Sequence, residues 1–382
     1  MSEHRITFFP VGNGDTTLIT LKDGTNILVD CNITKDSGDT EVIERYDVKS
    51  YLLDKLPKTD GVYHLDAFIL THPDIDHCRG VAEHFYLGDP TKYSQSDKNA
   101  ERIIIDELWF APRIFNEYKK DLNDEAKSIR KEADRRIKLY KDKETESSDK
   151  GNRIRAIGYS DNETLDGLDG VLSIPGSQVN LINGSLKNDF RFHILAPLKK
   201  DSDGKDSERN ECSIVLLAKF DVKNIEEAGR VILGGDSCLY NWLNILKKNS
   251  LDNLSFDIFV APHHCSWYFF SEEKYEENPE PNEKIVELIS CGRSCSKVIA
   301  SCKKIENNDD NPPNYYAAGL YQDAVGDENF YCTSVYPDEK EPKPLIFSMT
   351  ENGPVKEEPG EISRKGIDMA IKRTIETPKR YG

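Results

Sequence analysis

The sequence predicts an α/β fold, and three observations carry that reading. Strand-like and helix-like segments alternate from the beginning of the chain. Several strands have continuous apolar centres, as strands buried on both faces do. Polar residues gather where these strands end, the place where α/β folds build their sites. The chain has 382 residues, enough for one large domain with insertions or two of ordinary size. No internal repeat and no long low-complexity linker divides it. One domain over 1–350 with a charged tail over 351–382 is the economical division.

Residues 5–32, RITFFPVGNGDTTLITLKDGTNILVDCN, read as two or three strands. β-Branched and aromatic residues alternate there, and Gly-Asn-Gly-Asp and Lys-Asp-Gly mark the turns. YDVKSYLLDKL (46–56) has helical spacing at Val48, Leu52, Leu53 and Leu56. HLDAFILTH (64–72) is a buried strand that delivers ILTHPDIDHCRG (69–80) at its C-terminal end, and IIIDELWFAP (103–112) is another. The pattern then changes. Tyr118, Leu122, Ala126, Ile129, Ala133, Ile137 and Tyr140 recur at steps of four and three among Lys, Arg, Asp and Glu, which predicts a long amphipathic helix. It fades into the polar loop KDKETESSDKGN (141–152), so 113–152 is read as a helical insertion. Lying on the body of the domain is the plainer role for this helix; the sharper one is a lid, or a surface over 113–146 that docks a protein partner. Strands resume at VNLING (179–184), FRFHILAP (190–197), CSIVLLAKFD (212–221), RVILGGD (230–236) and DIFVAPHH (257–264). NWLNILKK (241–248) is a short helix. IVELIS, KVIASC and PLIFSMT (344–350) are the last strand candidates, and IDMAIKR in the tail is a candidate helix.

Apolar residues make up 37% of the chain and charged residues 31%, so a core forms beneath an extensive polar surface. MSEHRITFFPVG lacks a basic segment followed by an apolar one, and no window approaches the ~18 apolar residues of a membrane span. The expectation is a soluble, cytoplasmic protein with no membrane partner. Its nine cysteines show no paired spacing and are expected as reduced thiols. A net charge of −17 lowers the expectation of a general nucleic-acid binder, which shows a basic face. It leaves room for a local basic groove.

Polar residues at strand ends form one constellation. His72, Asp74, Asp76 and His77 end one strand, Asp236 ends RVILGGD after Gly234 and Gly235, and His263 and His264 end DIFVAPHH. Imidazoles and carboxylates converging from separate strands suit divalent metals. In H-x-D-x-D-H, alternate residues can face one ion while the adjacent Asp-His pair faces another, and a carboxylate from elsewhere can bridge both. Loop polarity or helix capping would explain one such motif, but three, each after an apolar strand, argue for a site.

The order of VGNGD (11–15), ILVDCN (27–32), LTHPDIDHCRG (70–80), ILGGDS (232–237) and APHHCS (261–266) resembles the metallo-β-lactamase superfamily. It is most similar to the branch containing the nuclease domain of ComEC-type competence proteins. RNECSIVLL (209–217) fits that branch's N-x-x-S-V/I-V strand at Asn210, Ser213 and Val215. The resemblance implies a four-layer αββα sandwich with the site at one edge of two sheets. It implies two divalent metal ions (zinc or manganese, with magnesium also suited) held by His72, Asp74, Asp76, His77, Asp236 and one of His263 and His264. His264 fits the motif better, which leaves His263 a supporting place. Asp76, Asp236 and His264 are the implied catalytic residues: Asp76 orients or deprotonates water, Asp236 bridges the ions, and His264 holds them with the other imidazoles. Asp30 and Asp15 are implied to orient ligands.

This chain also departs from the pattern. Asp74 stands where the commonest motif has a histidine, and Asn210 stands nearest the place of a further one, since His193 falls inside FRFHILAP. An oxygen-rich position favours harder ions over zinc. Cys265 replaces the usual glycine, and NPPNYYAAGLY (311–321) lacks a histidine that relatives carry, with Asn311 or Tyr315 as replacements. Cys31, Cys78, Cys212, Cys238 and Cys265 flank the motifs and are read as small buried hydrophobes. The function expected is a metal-dependent hydrolase cleaving phosphodiesters, with DNA the favoured substrate. The alternatives are hydrolysis of a small phosphodiester, nucleotide or ester, and a metal-stabilised interaction protein.

Overall fold

The computed structural model describes residues 3–39, 45–116, 122–159, 165–198, 213–274 and 280–358. Two large mixed sheets give it an α/β architecture. In the first, Arg5–Phe8, Thr17–Thr20 and Asn26–Val29 form an antiparallel meander. Asn26–Val29 then pairs in parallel with Val62–Ile69, followed by Ile103–Phe110 and Arg153–Ile157. On the other flank, Leu345–Thr350 pairs with Arg5–Phe8 and Gly353–Lys356 adds a strand. Ordered structure therefore continues past 350, where composition alone suggested a tail. The helix expected around IDMAIKR lies outside the described residues.

The second sheet repeats this plan. Phe190–Ala196, Val215–Val222 and Ile225–Leu233 are antiparallel, and Ile258–Val260, Lys297–Ala300 and Phe330–Cys332 continue in parallel. Neighbouring residues of one strand enter different hydrophobic clusters. Ile27, Ala67, Leu216, Ile258 and Ile299 meet between the sheets. Leu28 and Phe68 face the opposite side of the first sheet, beneath Val48, Leu52, Ala126 and Ile129. Leu217, Phe259 and Val298 face the opposite side of the second, beneath Trp242, Ile245, Leu288 and Tyr321. Burial on both faces is why these strands read as unbroken apolar runs.

The long helix spans Asp124–Lys141 and buries Ala126, Ile129, Ala133 and Ile137, the stripe its periodicity predicts. Tyr118, also in that stripe, lies outside the described residues. Asn123 caps the helix by accepting from the Ala126 N–H. Arg136, 1% exposed, ties it to the first sheet, donating to the carbonyls of Ile105 and Arg153 and to the Glu132 carboxylate. One strand expectation is corrected. IVELIS lies in the helix Glu283–Ile289, because Ile285, Leu288 and Ile289 recur at helical spacing and Asn282 caps its start. Among the described residues no helix is long and apolar enough to cross a membrane.

Candidate metal centre

Every predicted site residue among the described ones, Asp15 apart, lies beyond the C-terminal end of a strand that has at least one parallel neighbour. Asp30 follows Asn26–Val29 in the left-handed region (φ 57°) and is fully buried. Its carboxylate accepts from the Thr71 N–H at 2.8 Å, the Thr71 hydroxyl at 2.6 Å and the His77 Nδ1 at 2.7 Å. With its proton given to Asp30, the Thr71 oxygen is left to accept from His72 Nδ1, 3.0 Å away. His264 Nδ1 donates to the Ser301 carbonyl at 3.0 Å. Three imidazoles thus have their Nδ1 positions occupied by protein acceptors. That selects the tautomer whose Nε2 lone pair is available to an ion.

Those Nε2 atoms converge on Asp236. Its Oδ1 lies 3.0 Å from His77 Nε2 and 3.3 Å from His264 Nε2. Its Oδ2 lies 3.4 Å from His72 Nε2 and 3.7 Å from His263 Nε2. Asp76 approaches His264 Nε2 at 3.3 Å, and Asp74 approaches His72 Nε2 at 3.9 Å. One carboxylate therefore divides two half-sites: His72, Asp74 and His263 on one oxygen, and Asp76, His77 and His264 on the other. Side-chain exposures of 26% for Asp74, 28% for Asp76 and 20% for His263 mark the open side.

The donor set fits a divalent cation. Asp15, His77, Asp236 and His264 place ligand atoms within 4.8 Å of one another, all four residues being buried. His72 Nε2 is buried and makes no hydrogen bond, a costly arrangement unless something else satisfies it. His77 Nε2 and His264 Nε2 face each other at 3.2 Å, as two ligands of one ion do.

The electrostatics agree. Burial opposes charge on His77, yet Asp236 and Asp30 outweigh it and hold its pKa well above the ordinary value. Burial is likewise overcome at His264, which Asp236 and Asp76 raise to about 9. Burial would raise the Asp236 pKa, but the four surrounding imidazoles pull it well below the carboxylate range. Asp76 is also lowered, its burial outweighed by His264 and His77. Asp15, where burial wins, is raised. Protons on these rings occupy the place a cation would take.

The loop backbone is strained to achieve this. His263, His264 and Cys265 are consecutive left-handed residues, with φ of 50°, 53° and 66°. Each such non-glycine residue costs about 1–2 kcal/mol. Glycine is required at Gly14, where a Cβ would stand 2.1 Å from Asn32 Nδ2, and it suits the positive φ of Gly235 beside Thr71.

Both adjacent histidines approach Asp236 with Nε2, His264 at 3.3 Å and His263 at 3.7 Å. Asp15, expected only to orient ligands, is close enough to contribute an oxygen. Asn210 and Cys212 lie outside the described residues. His193 pairs with Leu217 in mid-sheet, and no contact joins it to the cluster. Asn311 Oδ1 accepts from the Ser266 hydroxyl and the Trp267 N–H, so it anchors the histidine loop. Tyr315 is exposed. Cys31, Cys78 and Cys265 are buried free thiols. Thr71 and Ser301 escaped sequence reading. Thr71 sits inside the LTHPD motif, whereas a backbone carbonyl such as that of Ser301 leaves no mark in a sequence.

No protein-family model matches the chain, and no curated protein matches it. Among solved structures, a provisionally named metal-dependent hydrolase from Parabacteroides distasonis ATCC 8503 aligns over 86% of this chain and 92% of its own, at 14% identity and a TM-score of 0.34. That overlap is too loose to bear on function.

Proposed function

We propose that the chain is a metal-dependent hydrolase of the metallo-β-lactamase type, closest to the ComEC-like branch, that cleaves phosphodiester bonds in DNA. On this reading the paired sheets and their covering helices are the αββα sandwich. Residues 113–152 are an insertion in a domain that starts near residue 1. The observation that carries the proposal is the two-sided Asp236, each of whose oxygens faces two imidazole nitrogens. Such a carboxylate suits a pair of divalent ions, manganese or zinc. Bound there, divalent cations polarise a phosphoryl oxygen and make water more acidic near neutral pH.

The chain's own residues do the remaining work. Asp30, Thr71 and Ser301 hold three rings by Nδ1, and Asp236 spaces the half-sites. Asp76 stands at the open side with its carboxylate kept ionised, placed to orient an attacking water. Asp74 adds oxygen to the His72 half-site, which favours harder cations.

Linear and circular DNA, RNA and a generic phosphodiester assayed with Mn²⁺, Mg²⁺ and Zn²⁺ test the reading. Asp236→Asn should abolish turnover, by at least ~10³-fold if the two-ion site collapses, and reduce bound metal while the protein stays folded. Unchanged turnover would sink the proposal.

A further inference from the structure

In a chain of net charge −17, the helix Asp124–Lys141 runs against the trend, with seven basic residues against four acidic ones. Glu132 is buried with Arg136 and also pairs with Arg135, so the outward surface is left to the others. Lys127, Lys131, Asp134, Lys138 and Lys141 are exposed at steps of four and three, and so form one ridge along the helix. Lys127 is paired with Asp124 at 2.8 Å. Lys131, Lys138 and Lys141 have no carboxylate within ion-pair distance among the described residues.

This ridge begins at the candidate metal loop. Asn123 Nδ2 donates to the Pro73 carbonyl at 3.0 Å, while its Oδ1 accepts from the Ala126 N–H and the Cys78 thiol. The Glu125 carboxylate accepts from the Ala82 N–H at 2.7 Å. Both contacts lock the first turn of the helix to the segment bearing His72, Asp74, Asp76 and His77. From Lys131 to Lys141 the ridge extends about 15 Å, at ~1.5 Å per residue. A strand of duplex DNA spaces its phosphates ~3.4 Å apart along the helix axis, so about four lie alongside.

We infer that Lys131, Lys138 and Lys141 form a track for the backbone of a nucleic-acid strand that leads to the metal loop. The inference rests on the hydrolase reading for its purpose, but not for its measurement. Charge complementarity selects the occupant: an acidic protein offers to a polyanion a ridge on which three lysines outnumber the one acid among them, Asp134. Binding here is through phosphates and indifferent to base sequence.

The test uses the full-length chain and its K131E/K138E/K141E variant, with equal melting temperatures as the folding control. Fluorescence anisotropy of a labelled single-stranded oligonucleotide in chelator measures binding without turnover. Hydrolysis of bis(p-nitrophenyl) phosphate with Mn²⁺ measures the metal site alone. The variant should bind the oligonucleotide at least ~10-fold more weakly, and its log Kd against log salt should be shallower by about two, since each lost phosphate contact removes ~0.7 for single strands. Hydrolysis of the small diester should be unchanged. Equal binding by both proteins overturns the track, and so does stronger competition from polyglutamate or anionic vesicles than from unlabelled oligonucleotide. If lysine-dependent binding appears without diester hydrolysis, the track stands and the hydrolase reading falls.

Discussion

Asp30 illustrates how much of a candidate metal centre resides in residues that would touch no metal. Its two oxygens receive His77, the Thr71 hydroxyl and the Thr71 N–H. Through Thr71 it also sets the tautomer of His72. Asp30→Asn keeps the shape but replaces one accepting oxygen with an N–H₂ donor. Cation affinity of the purified protein should fall about 10–100-fold, the usual cost of losing such a partner, as read by titration with Mn²⁺. Affinity equal to wild type would show that the rings are oriented without it. Asp30 was legible in the sequence because ILVD ends a strand with an acid. His72, Asp74, Asp76 and His77 were legible for the same reason. The division of labour between the Asp236 oxygens was not. It depends on which way two adjacent histidines turn, and their left-handed backbone, with the His263 N–H donating to the Gly235 carbonyl at 3.0 Å, goes against local propensity.

Among the elements, the helix Asp124–Lys141 combines a buried ion pair with an exposed basic ridge. Glu132 and Arg136 are both nearly inaccessible, and Arg136 also holds two sheet carbonyls. Glu132→Ala leaves a guanidinium buried without its carboxylate, which should cost about 3–5 kcal/mol, measured by urea unfolding. A loss below ~1 kcal/mol would mean that water or the sheet carbonyls suffice. Periodicity revealed the stripe Ala126, Ile129, Ala133 and Ile137, but the burial of Arg136 and Glu132 contradicts their hydropathy. The helix Glu283–Ile289 was misread for a related reason: a short apolar run has too few turns to distinguish a period of 3.6 from a buried strand.

For the whole molecule, the candidate ligands come from both sheets. His72, Asp74, Asp76 and His77 follow the first, while Asp236, His263 and His264 follow the second. A bound cation would therefore cross-link the sheets. Chelation should lower the melting temperature, by an amount corresponding to roughly 3 kcal/mol for a cation present at 100 times its Kd. The effect also has a pH signature. The raised His264 pKa stabilises the chelated protein below the unfolded histidine value of ~6.5. That contribution is lost as pH climbs through about 9. Chelated protein should thus weaken across that window, and Mn²⁺-loaded protein should not. A chelator-insensitive melting curve would remove the cross-link from the account.

Strand order has one more consequence, for how the chain is made. Arg5–Phe8 takes Leu345–Thr350 as a neighbour, and Asp236 meets His72 from the opposite sheet. A chain emerging at ~5–20 residues per second leaves its first strand with one edge open for tens of seconds. During that wait His72 and Asp74 are already outside the ribosome, and Asp236 is not. The cluster around Asp236 can therefore assemble only after strands of both sheets have left the ribosome.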